Sequence, residues 1–424
     1  MRFCMVSTYY PPYHYGGDGV FVQGLARALT AAGHQVEVVH CEDAFRLASR
    51  ESSASFSDAS SPENDGVIVH RLNNHCGPLS PLITQQTGHP GLKQAALRRI
   101  FARNFDVVNF HNISLVGGPG VLALSRAAVN LYTLHEHWLI CPTHCFWKNR
   151  KEVCQVRSCI RCCLQSGVPP QLWRYSGLVR RALRHVDVLL SPSVYTARQH
   201  AEAGLGRPVR VLPTYAASVV DPSTNDATAP PARPRFLFAG RVTASKGVDW
   251  LVEQFSRLPQ YDLDIVGKGD LLEELKRRYA ACGWIRFRGA AMHSEMPGWY
   301  SGATALIVPS RAPEVFPLCI LEAFACGTPA IASAAGGTPE AVETSGAGFV
   351  YRDQPGFLAA VAQLAEQPGL RGWLGERARA AYQRSYTEEK YVGAYLEIVD
   401  EILRTKRPER ALATQASVSA GVRS

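Results

Sequence analysis

Arg241 and Lys246 are the residues whose types and spacing most directly suggest a binding chemistry. Both lie within residues 239–247, between an apolar strand pattern and a helix pattern. The Arg guanidinium can form paired hydrogen bonds to phosphate oxygens and the Lys ammonium is a mobile point charge, so the two together suit a diphosphate. The ending Ser245-Lys246-Gly247 differs from the Gly-Lys-Ser/Thr ending of nucleoside-triphosphate-hydrolysing loops, which excludes that class. Two solvated surface cations are the alternative without a function.

Two carboxylates, Glu314 and Glu322, lie in residues 309–329, the most informative segment of the chain. Glu314 precedes a helix initiated by Pro317, and Glu322 lies inside an otherwise apolar stretch. A carboxylate in an apolar helix is costly unless it accepts hydrogen bonds. The two hydroxyls of a ribose would supply them, and a buried structural ion pair is the alternative for Glu322.

Glycines follow several of the strand patterns, where they let the backbone approach a ligand. The first pair, Gly16 and Gly17, precedes a helix whose N-terminus favours anions, although Val22 stands where a complete dinucleotide motif would have its third glycine. An ordinary tight turn is the alternative there. Further glycine turns follow later strand patterns at Gly240, Gly267 and residues 336–340.

Short apolar runs alternate with helical periodicity in both halves of the chain, which predicts an α/β fold with two Rossmann-like lobes facing each other across a cleft. Open sheets of this kind bind ligands at the carboxyl ends of their strands. The predicted strands are residues 3–7, 35–39, 67–71, 107–110, 130–133, 186–190 and 209–212 in the first lobe, and 236–239, 263–266, 285–287, 305–308 and 330–333 in the second.

The predicted organisation has four parts: an N-terminal lobe over residues 1–215, a C-terminal lobe over 216–384, a helix over 385–405 that crosses back to the first lobe, and a flexible tail over 406–424. Residues 221–235 are dense in Pro, Thr and Ala and are the best linker candidate. Residues 42–66 are rich in Ser, Asp and Glu, and we expect a mobile surface insertion there.

Composition narrows the class of protein further. The 424 residues are 46% hydrophobic, which excludes a mostly disordered chain, and no apolar run reaches the roughly 18–20 residues of a membrane helix. The N-terminus lacks the apolar core and cleavage site of a signal peptide, so we expect a cytoplasmic protein with reduced cysteines. The net charge of +9 suits nucleic acid, an anionic membrane surface or a phosphorylated small molecule. No nucleic-acid recognition module is recognisable, so we expect no nucleic-acid partner.

From Met1 to about Leu403 the sequence resembles glycosyltransferase family 4, whose members are retaining nucleotide-sugar enzymes of the GT-B fold. The most specific part of the resemblance is the spacing of Glu314 and Glu322, with Phe316-Pro317-Leu318 between them and Cys326-Gly327-Thr328-Pro329 after them. The segment from Arg241 to Gly247 matches the family's Arg…Lys-Gly loop, and Gly16-Gly17 matches its N-terminal glycine loop.

The resemblance implies a role for each matching residue. Arg241 and Lys246 would neutralise the donor's diphosphate, Glu322 would bind the ribose hydroxyls, and Glu314 would contact the transferred sugar. Backbone N–H groups around Phe316, Pro317 and Leu318 would bind sugar or phosphate oxygens, and Gly16 and Gly17 would let the N-terminal lobe close on the donor. Nothing resembles an Asp-x-Asp metal motif at the end of a strand, so no divalent cation is expected at the diphosphate.

His135 matches the family's strand-end histidine, which implies contact with the donor sugar or a role in positioning the acceptor. A structural or surface histidine is the alternative. The family more often has Asp at the next position, where this chain has Glu136. His111 and Asn112 fit the family's pattern more loosely.

Six cysteines lie within residues 141–163: Cys141, Cys145, Cys154, Cys159, Cys162 and Cys163. The two-residue spacing of Cys159 and Cys162 suggests a structural Zn site, and reduced thiols or a disulfide-stapled loop are the alternatives. After this insertion, residues 173–184 mix aromatic, aliphatic and basic residues at helical spacing. Such a helix could lie on an anionic membrane, although a packed helix with a solvated basic face is favoured.

The sequence therefore predicts an enzyme that moves a sugar, of hexosyl type, from a nucleotide-diphosphate sugar to a glycan or lipid-linked acceptor in polysaccharide or glycoconjugate biosynthesis. Its donor chemistry is expected in the C-terminal lobe. A phosphorylase or epimerase of the same fold, or a non-catalytic sugar-binding protein, are the alternatives.

Overall fold

The computed structural model describes residues 1–14, 17–49, 65–216 and 233–421, with side chains as far as residue 406 except at Ser49. Two separate parallel sheets organise the chain, one before and one after residues 217–232. Residues 15–16, 50–64 and 217–232 lie outside the described part, so Gly16 and most of the predicted linker and insertion lie there too.

The N-terminal lobe is a seven-stranded parallel sheet with strand order β3-β2-β1-β4-β5-β8-β9. Its strands are β1 Arg2–Val6, β2 Gln35–Cys41, β3 Ile68–Leu72, β4 Val107–Phe110, β5 Val129–Thr133, β8 Val188–Ser191 and β9 Val209–Val211. A small hairpin, β6 Trp147–Lys148 and β7 Glu152–Val153, lies between β5 and β8 in the chain. The helices are α1 Gly17–Ala31, α2 Glu42–Ser49, α3 Leu79–Thr87, α4 Gln94–Phe101, α5 Cys159–Gln165, α6 Leu178–Leu183 and α7 Val194–Glu202.

The C-terminal lobe is a six-stranded parallel sheet with strand order β12-β11-β10-β13-β14-β15. Its strands are β10 Arg235–Ala239, β11 Asp262–Val266, β12 Ile285–Gly289, β13 Ala305–Val308, β14 Ala330–Ser333 and β15 Gly348–Tyr351. The helices are α8 Val248–Ser256, α9 Leu272–Arg278, α10 Met296–Ser301, α11 Leu318–Ala325, α12 Thr338–Ser345, α13 Gln354–Glu366, α14 Pro368–Ser385 and α15 Glu388–Gly421.

Apolar clusters cover both faces of each sheet, as parallel sheets require. The last helix, α15, belongs to the core of the first lobe: Tyr391, Tyr395 and Val399 pack with Phe3 and Phe21. Helix α14, in contrast, lies in a core of the second lobe. The chain therefore returns to the N-terminal lobe at its end, and α15 continues to Gly421, beyond residue 406 where a flexible tail was predicted.

Three sequence-based expectations differ from the structure. Residues 42–49 of the predicted mobile insertion form helix α2, because Glu42 and Asp43 at its start are buried and accept hydrogen bonds from Arg46, Asn73 and the Asn74 amide. The predicted basic helix over residues 173–184 is two pieces, a 3₁₀ turn at Leu172–Ser176 and α6, because Gly177 adopts φ +73° between them. Strand β15 was not predicted, since it begins with Gly348 and three of its four residues are only half-buried.

Within the described part of the chain, no helix is both long enough and apolar enough to span a membrane.

Candidate active site

The loops after β10 and β13 meet at the carboxyl edge of the second sheet. The amides of Arg311 and Ala312 both donate to the carbonyl oxygen of Ser245, at 2.9 and 3.0 Å. This contact brings Lys246 Nζ to 2.5 Å from Glu314 Oε1. Two residues that are 68 positions apart in the chain therefore form one ion pair.

Two glycines make this close approach possible. Gly247 has φ +70°, and a Cβ atom there would lie 2.0 Å from the carbonyl oxygen of Pro309. Gly267, after β11, has φ +146°, and its Cβ would lie 1.8 Å from the carbonyl oxygen of Gly240. Any other residue at either position would push the strand ends apart.

The electrostatics of Glu314 follow from its cationic neighbours. Burial alone would raise the pKa of its carboxyl group, but Lys246, Ser310 and Arg241 together hold that pKa below the usual value of 4.5. The Ser310 hydroxyl donates to the same oxygen that Lys246 contacts. Arg241 is exposed and, among the described residues, has no ion pair of its own. Its guanidinium is thus available for an anionic ligand beside the Lys246–Glu314 pair.

Glu322 lies in α11, and the hydroxyl of the fully buried Tyr300 donates to its Oε2. No ion pair of Glu322 is formed within the described residues, so the structure does not contain the buried ion pair considered from the sequence. One carboxylate oxygen is held by Tyr300, which leaves the other for a ligand hydroxyl. Tyr300 was missed at the sequence level because no motif links it to a residue 22 positions further on.

The start of α11 lies against the N-terminal lobe. Pro317 caps the helix in an extended conformation without a side-chain hydrogen bond, and the Ile320 amide donates to the Pro317 carbonyl oxygen at 3.2 Å. The amides of Leu318 and Cys319 are therefore the ones that the first turn offers to an anion. A Cβ at Gly17 would lie 2.7 Å from Leu318 Cδ1. Gly17 of the first lobe therefore adjoins the Phe316-Pro317-Leu318 segment of the second, and a side chain at Gly17 would require the Leu318 side chain to move.

His135 lies just beyond β5, on the first lobe's side of the cleft, and contacts His111 just beyond β4. His135 Nε2 is 2.9 Å from His111 Nδ1. Burial lowers the pKa of His135 to about 4, against the opposing effect of the Asp18 carboxylate. Asn112 Nδ2 donates to Asp18 Oδ2 at 3.3 Å. The loosely matching pair His111 and Asn112 thus belongs to the same network as His135.

A further contact joins the lobes at the turn after β14. Both carboxylate oxygens of Glu340 accept hydrogen bonds from the first-turn amides of α7, Val194 N at 2.8 Å and Tyr195 N at 2.7 Å. A Cβ at Gly337 would also lie 2.9 Å from Ser193 Cβ. The glycine turn at residues 336–340, interpreted from the sequence as facing a ligand, holds the first lobe against the second. Such a carboxylate at a helix N-terminus is favourable for both hydrogen bonding and charge.

The cysteine-rich insertion borders the cleft. Glu136 Oε2 is 2.7 Å from His144 Nδ1, so the residue after His135 anchors the insertion's first loop. Burial raises the pKa of the Cys145 thiol to about 11, and Arg241 of the other lobe is close enough to oppose this increase. The insertion therefore comes near the loop of the second lobe that carries Arg241.

All six cysteines of the insertion are free thiols in the structure. Burial and neighbouring thiols raise the pKa values of Cys154 and Cys159. In the part of the chain that the structure describes, no three His, Cys, Asp or Glu side chains are grouped so as to hold a metal ion. Zinc at the insertion stays a hypothesis that elemental analysis decides: about one Zn per chain would support it, and no bound Zn or Fe would eliminate it.

Asp262 and Asp264 have the spacing of a metal-binding pair but lie within β11, away from its carboxyl end. Asp262 pairs with Arg286 at 3.0 Å, and Asp264 pairs with Arg288 at 2.6 Å. Both carboxylates are thus used within the sheet.

Two parallel-sheet lobes with basic residues, carboxylates and a helix N-terminus at their shared cleft have the GT-B fold. Solved structures of similar fold include sucrose-phosphate synthase from Thermosynechococcus elongatus, with TM-score 0.73 and 21% identity over 95% of this chain and 99% of that one. Anabaena HepE in complex with UDP is also similar, with TM-score 0.63 and 16% identity over 95% of this chain and 100% of that one.

The family profile described as Glycosyltransferase Family 4 matches residues 15–215, and that described as Glycosyl transferases group 1 matches residues 233–367. Glycogen synthase of Mycobacterium tuberculosis is 29% identical over 440 aligned positions, which cover 97% of this chain and 96% of that protein. The chain belongs to glycosyltransferase family 4.

The Lys246–Glu314 pair makes stability depend on pH in a defined direction. Because the pKa of Glu314 is lower in the folded protein than its usual value of 4.5, the pair stabilises the fold above that pH and this stabilisation is lost as the pH falls through the folded-state pKa. We expect Lys246→Met to lower the melting temperature at pH 7 by about 2–4 °C, the shift that about 1 kcal/mol produces in domains of this size. The deficit should shrink toward pH 4 in thermal melts followed by circular dichroism.

Lys276→Met is the matched control, because Lys276 pairs at 3.0 Å with the largely exposed Glu273. Its melting temperature should stay within about 1 °C of the wild type at every pH, since exposed pairs contribute little. A Lys246→Met deficit that is the same at pH 4 and pH 7 would contradict the assigned ion pair.

Proposed function

We propose that the protein transfers a hexosyl group from a nucleotide-diphosphate sugar to a glycan or lipid-linked acceptor, with retention of anomeric configuration. The observation that carries the proposal is the meeting of Arg241 and Lys246 with Glu314 at one strand edge, beside the open N-terminus of α11. HepE, of similar fold, has been solved with UDP and with UDP-glucose, which supports a nucleoside-diphosphate sugar as the donor.

In this proposal the C-terminal lobe provides the chemistry of the leaving group. Breaking the sugar–phosphate bond places negative charge on the departing diphosphate, and Arg241, Lys246 and the α11 amides stabilise it without reorganising. Two fixed cations at this position supply the charge that a divalent ion would otherwise provide, so transfer proceeds without a metal at the diphosphate. Glu322 binds the ribose hydroxyls and Glu314 contacts the transferred sugar.

The N-terminal lobe selects the acceptor. His135 lies on its side of the cleft and contacts the donor sugar or positions the acceptor. Retention follows from attack on the same face as the departing diphosphate, through an oxocarbenium-like state. Glycogen synthase, a relative over nearly the whole chain, supports a role in polysaccharide or glycoconjugate biosynthesis. Free thiols at all twelve cysteines accord with a reducing, cytoplasmic location.

Two variants test the leaving-group assignment. Arg241→Ala and Lys246→Ala should each reduce turnover by about 10²–10³-fold, the loss typical when one preorganised donor to a developing oxyanion is removed. The measurement is release of nucleoside diphosphate across a panel of UDP-, GDP- and ADP-sugars, which also identifies the donor. Formation of a new glycosidic bond in the product separates a transferase from a phosphorylase, an epimerase or a non-catalytic protein.

Arg257→Ala is the control, because Arg257 is an exposed cation at the end of α8 whose one ion pair within the described residues is with Glu253, at 2.8 Å. Its turnover should match the wild type. Near-normal nucleoside-diphosphate release by Arg241→Ala or Lys246→Ala would refute the assignment.

We further propose that the insertion contacts an anionic membrane surface. Residues 148–184 contain nine Lys and Arg residues and one acidic residue, Glu152, so a segment of 37 residues carries +8 of the chain's net charge of +9.

Five large apolar side chains of this segment are exposed: Val156, Ile160, Leu164, Leu172 and Tyr175. The thiols of Cys159 and Cys163 in α5 affect the pKa of Tyr175, so α5 lies beside the 3₁₀ turn. Exposed apolar and basic side chains together suit anionic lipid, the setting in which a lipid-linked acceptor is held.

Vesicle flotation tests the membrane proposal. The wild type should float with vesicles of phosphatidylglycerol and phosphatidylcholine but not with phosphatidylcholine alone, and binding should weaken with salt. The double variant Arg157→Glu, Arg161→Glu should bind at least about tenfold more weakly, since each basic residue near such a surface contributes about 1 kcal/mol. Arg277→Glu, on α9 of the other lobe, is the matched control. No flotation of the wild type with anionic vesicles would overturn the proposal.

A further inference from the structure

The contact between His111 and His135 has the geometry of an in-plane N–H···N hydrogen bond. The two ring planes differ by only 23°, their centroids are 5.1 Å apart, and His111 Nδ1 is 2.9 Å from His135 Nε2. The ring of Phe21 packs edge-on against His135 with centroids 4.9 Å apart, which restrains its rotation. The pairing of β4 with β5 places the two histidines side by side at the strand ends.

Each ring carries one proton at neutral pH. Burial lowers the pKa of His111 well below its usual value and that of His135 to about 4, so neither is an imidazolium cation. A single proton therefore lies in the N–H···N bond, and either His111 Nδ1 or His135 Nε2 donates it.

The remaining nitrogen of His111 distinguishes the two arrangements. His111 Nε2 is buried and has no hydrogen-bond partner among the described residues. If His135 donated, His111 would have to carry its proton on Nε2, and an orphaned buried N–H is costly and rare in proteins. If His111 donates from Nδ1, its Nε2 is only an unshared lone pair.

The same protein contains an independent example of this choice. His200 Nδ1 lies 2.8 Å from the carbonyl oxygen of Thr196, which can only accept, so His200 is protonated at Nδ1. Its Nε2 is also buried without a partner in the described part of the chain. The fold thus tolerates a bare buried Nε2 lone pair when Nδ1 donates.

We propose that His111 is a positioning residue that donates from Nδ1 to His135 Nε2 and so fixes His135 as the Nδ1–H tautomer. The one ring nitrogen of His135 left for substrate is then a hydrogen-bond donor. Such a group recognises an oxygen acceptor, such as a sugar hydroxyl or a phosphate oxygen, and does not accept a proton from the attacking hydroxyl. The consequence for substrate rests on the proposed function, whereas the tautomer itself does not.

Nitrogen NMR of protein labelled with ¹⁵N-histidine tests the tautomer without any substrate. His135 should show a protonated Nδ1 and an unprotonated Nε2 at pH 7, with a coupling across the hydrogen bond to a protonated His111 Nδ1. His200 provides the internal reference for the Nδ1–H form. A wild-type spectrum with the proton on His135 Nε2 would overturn the proposal even if every variant failed to fold.

Two variants at His111 separate positioning from packing. His111→Leu fills the site without a donor, so the His135 signals should become a mixture of tautomers and turnover should fall by about 10–100-fold, the loss of one well-placed hydrogen bond in a site. His111→Asn places an amide N–H near the position of Nδ1 and should restore the Nδ1–H form and most of the turnover. If His111→Leu leaves the His135 tautomer unchanged, the inference is wrong. A wild type that shows the predicted His135 tautomer but no glycosyl transfer would count against the proposed function alone.

Discussion

The ion pair between Lys246 and Glu314 is the interaction on which the rest of the site depends. It forms only because the loops after β10 and β13 are held together by the Ser245 carbonyl, and because Gly247 leaves room for the Pro309 backbone. The pair keeps a carboxylate ionised in a largely buried position and fixes the direction of the Lys246 ammonium. Arg241 is exposed beside this pair. The loop therefore carries one cation, Lys246, that is paired with Glu314, and a second, Arg241, that can bind an anionic ligand.

The relation of the two lobes is fixed at three places of different chemistry. Glu340 accepts hydrogen bonds from the first turn of α7, Gly17 abuts Leu318, and α15 returns to the apolar core of the first lobe. The first contact combines hydrogen bonds with the positive end of a helix, the second is steric, and the third is hydrophobic. Because Gly17 adjoins Leu318 and the next residue, Asp18, influences the pKa of His135, the pair of His135 and His111 lies on the side of the first lobe that faces α11.

The cysteine-rich insertion, residues 141–163, makes further contacts near the cleft. It is attached to the active-site strand through Glu136 and His144 and comes close to Arg241 through Cys145. Its outer surface has a high density of basic and exposed apolar residues. One segment thus contacts the loop after β5 and also carries the surface that we propose to bind anionic lipid.

The sequence by itself determined the fold class and the alternation of strands and helices, and it supplied the candidate residues of the proposed donor site. Arg241, Lys246, Glu314 and Glu322 were recognisable because each lies in a short segment whose residue types and spacing are local properties. All twelve predicted strands begin and end within two residues of their predicted positions, because apolar periodicity is also a local property. The edge strand β15 lacked this signal, being only half-buried.

The tertiary structure alone decided which residues became partners. The pairing of Tyr300 with Glu322, of Glu340 with the α7 amides and of His111 with His135 joins positions that are 22 to 146 residues apart. No local pattern encodes such pairs, because they depend on strand order and on how the two lobes meet. For the same reason, the sequence alone suggested that the turn at residues 336–340 faces a ligand. In the structure, Glu340 of this segment contacts helix α7 of the other lobe instead.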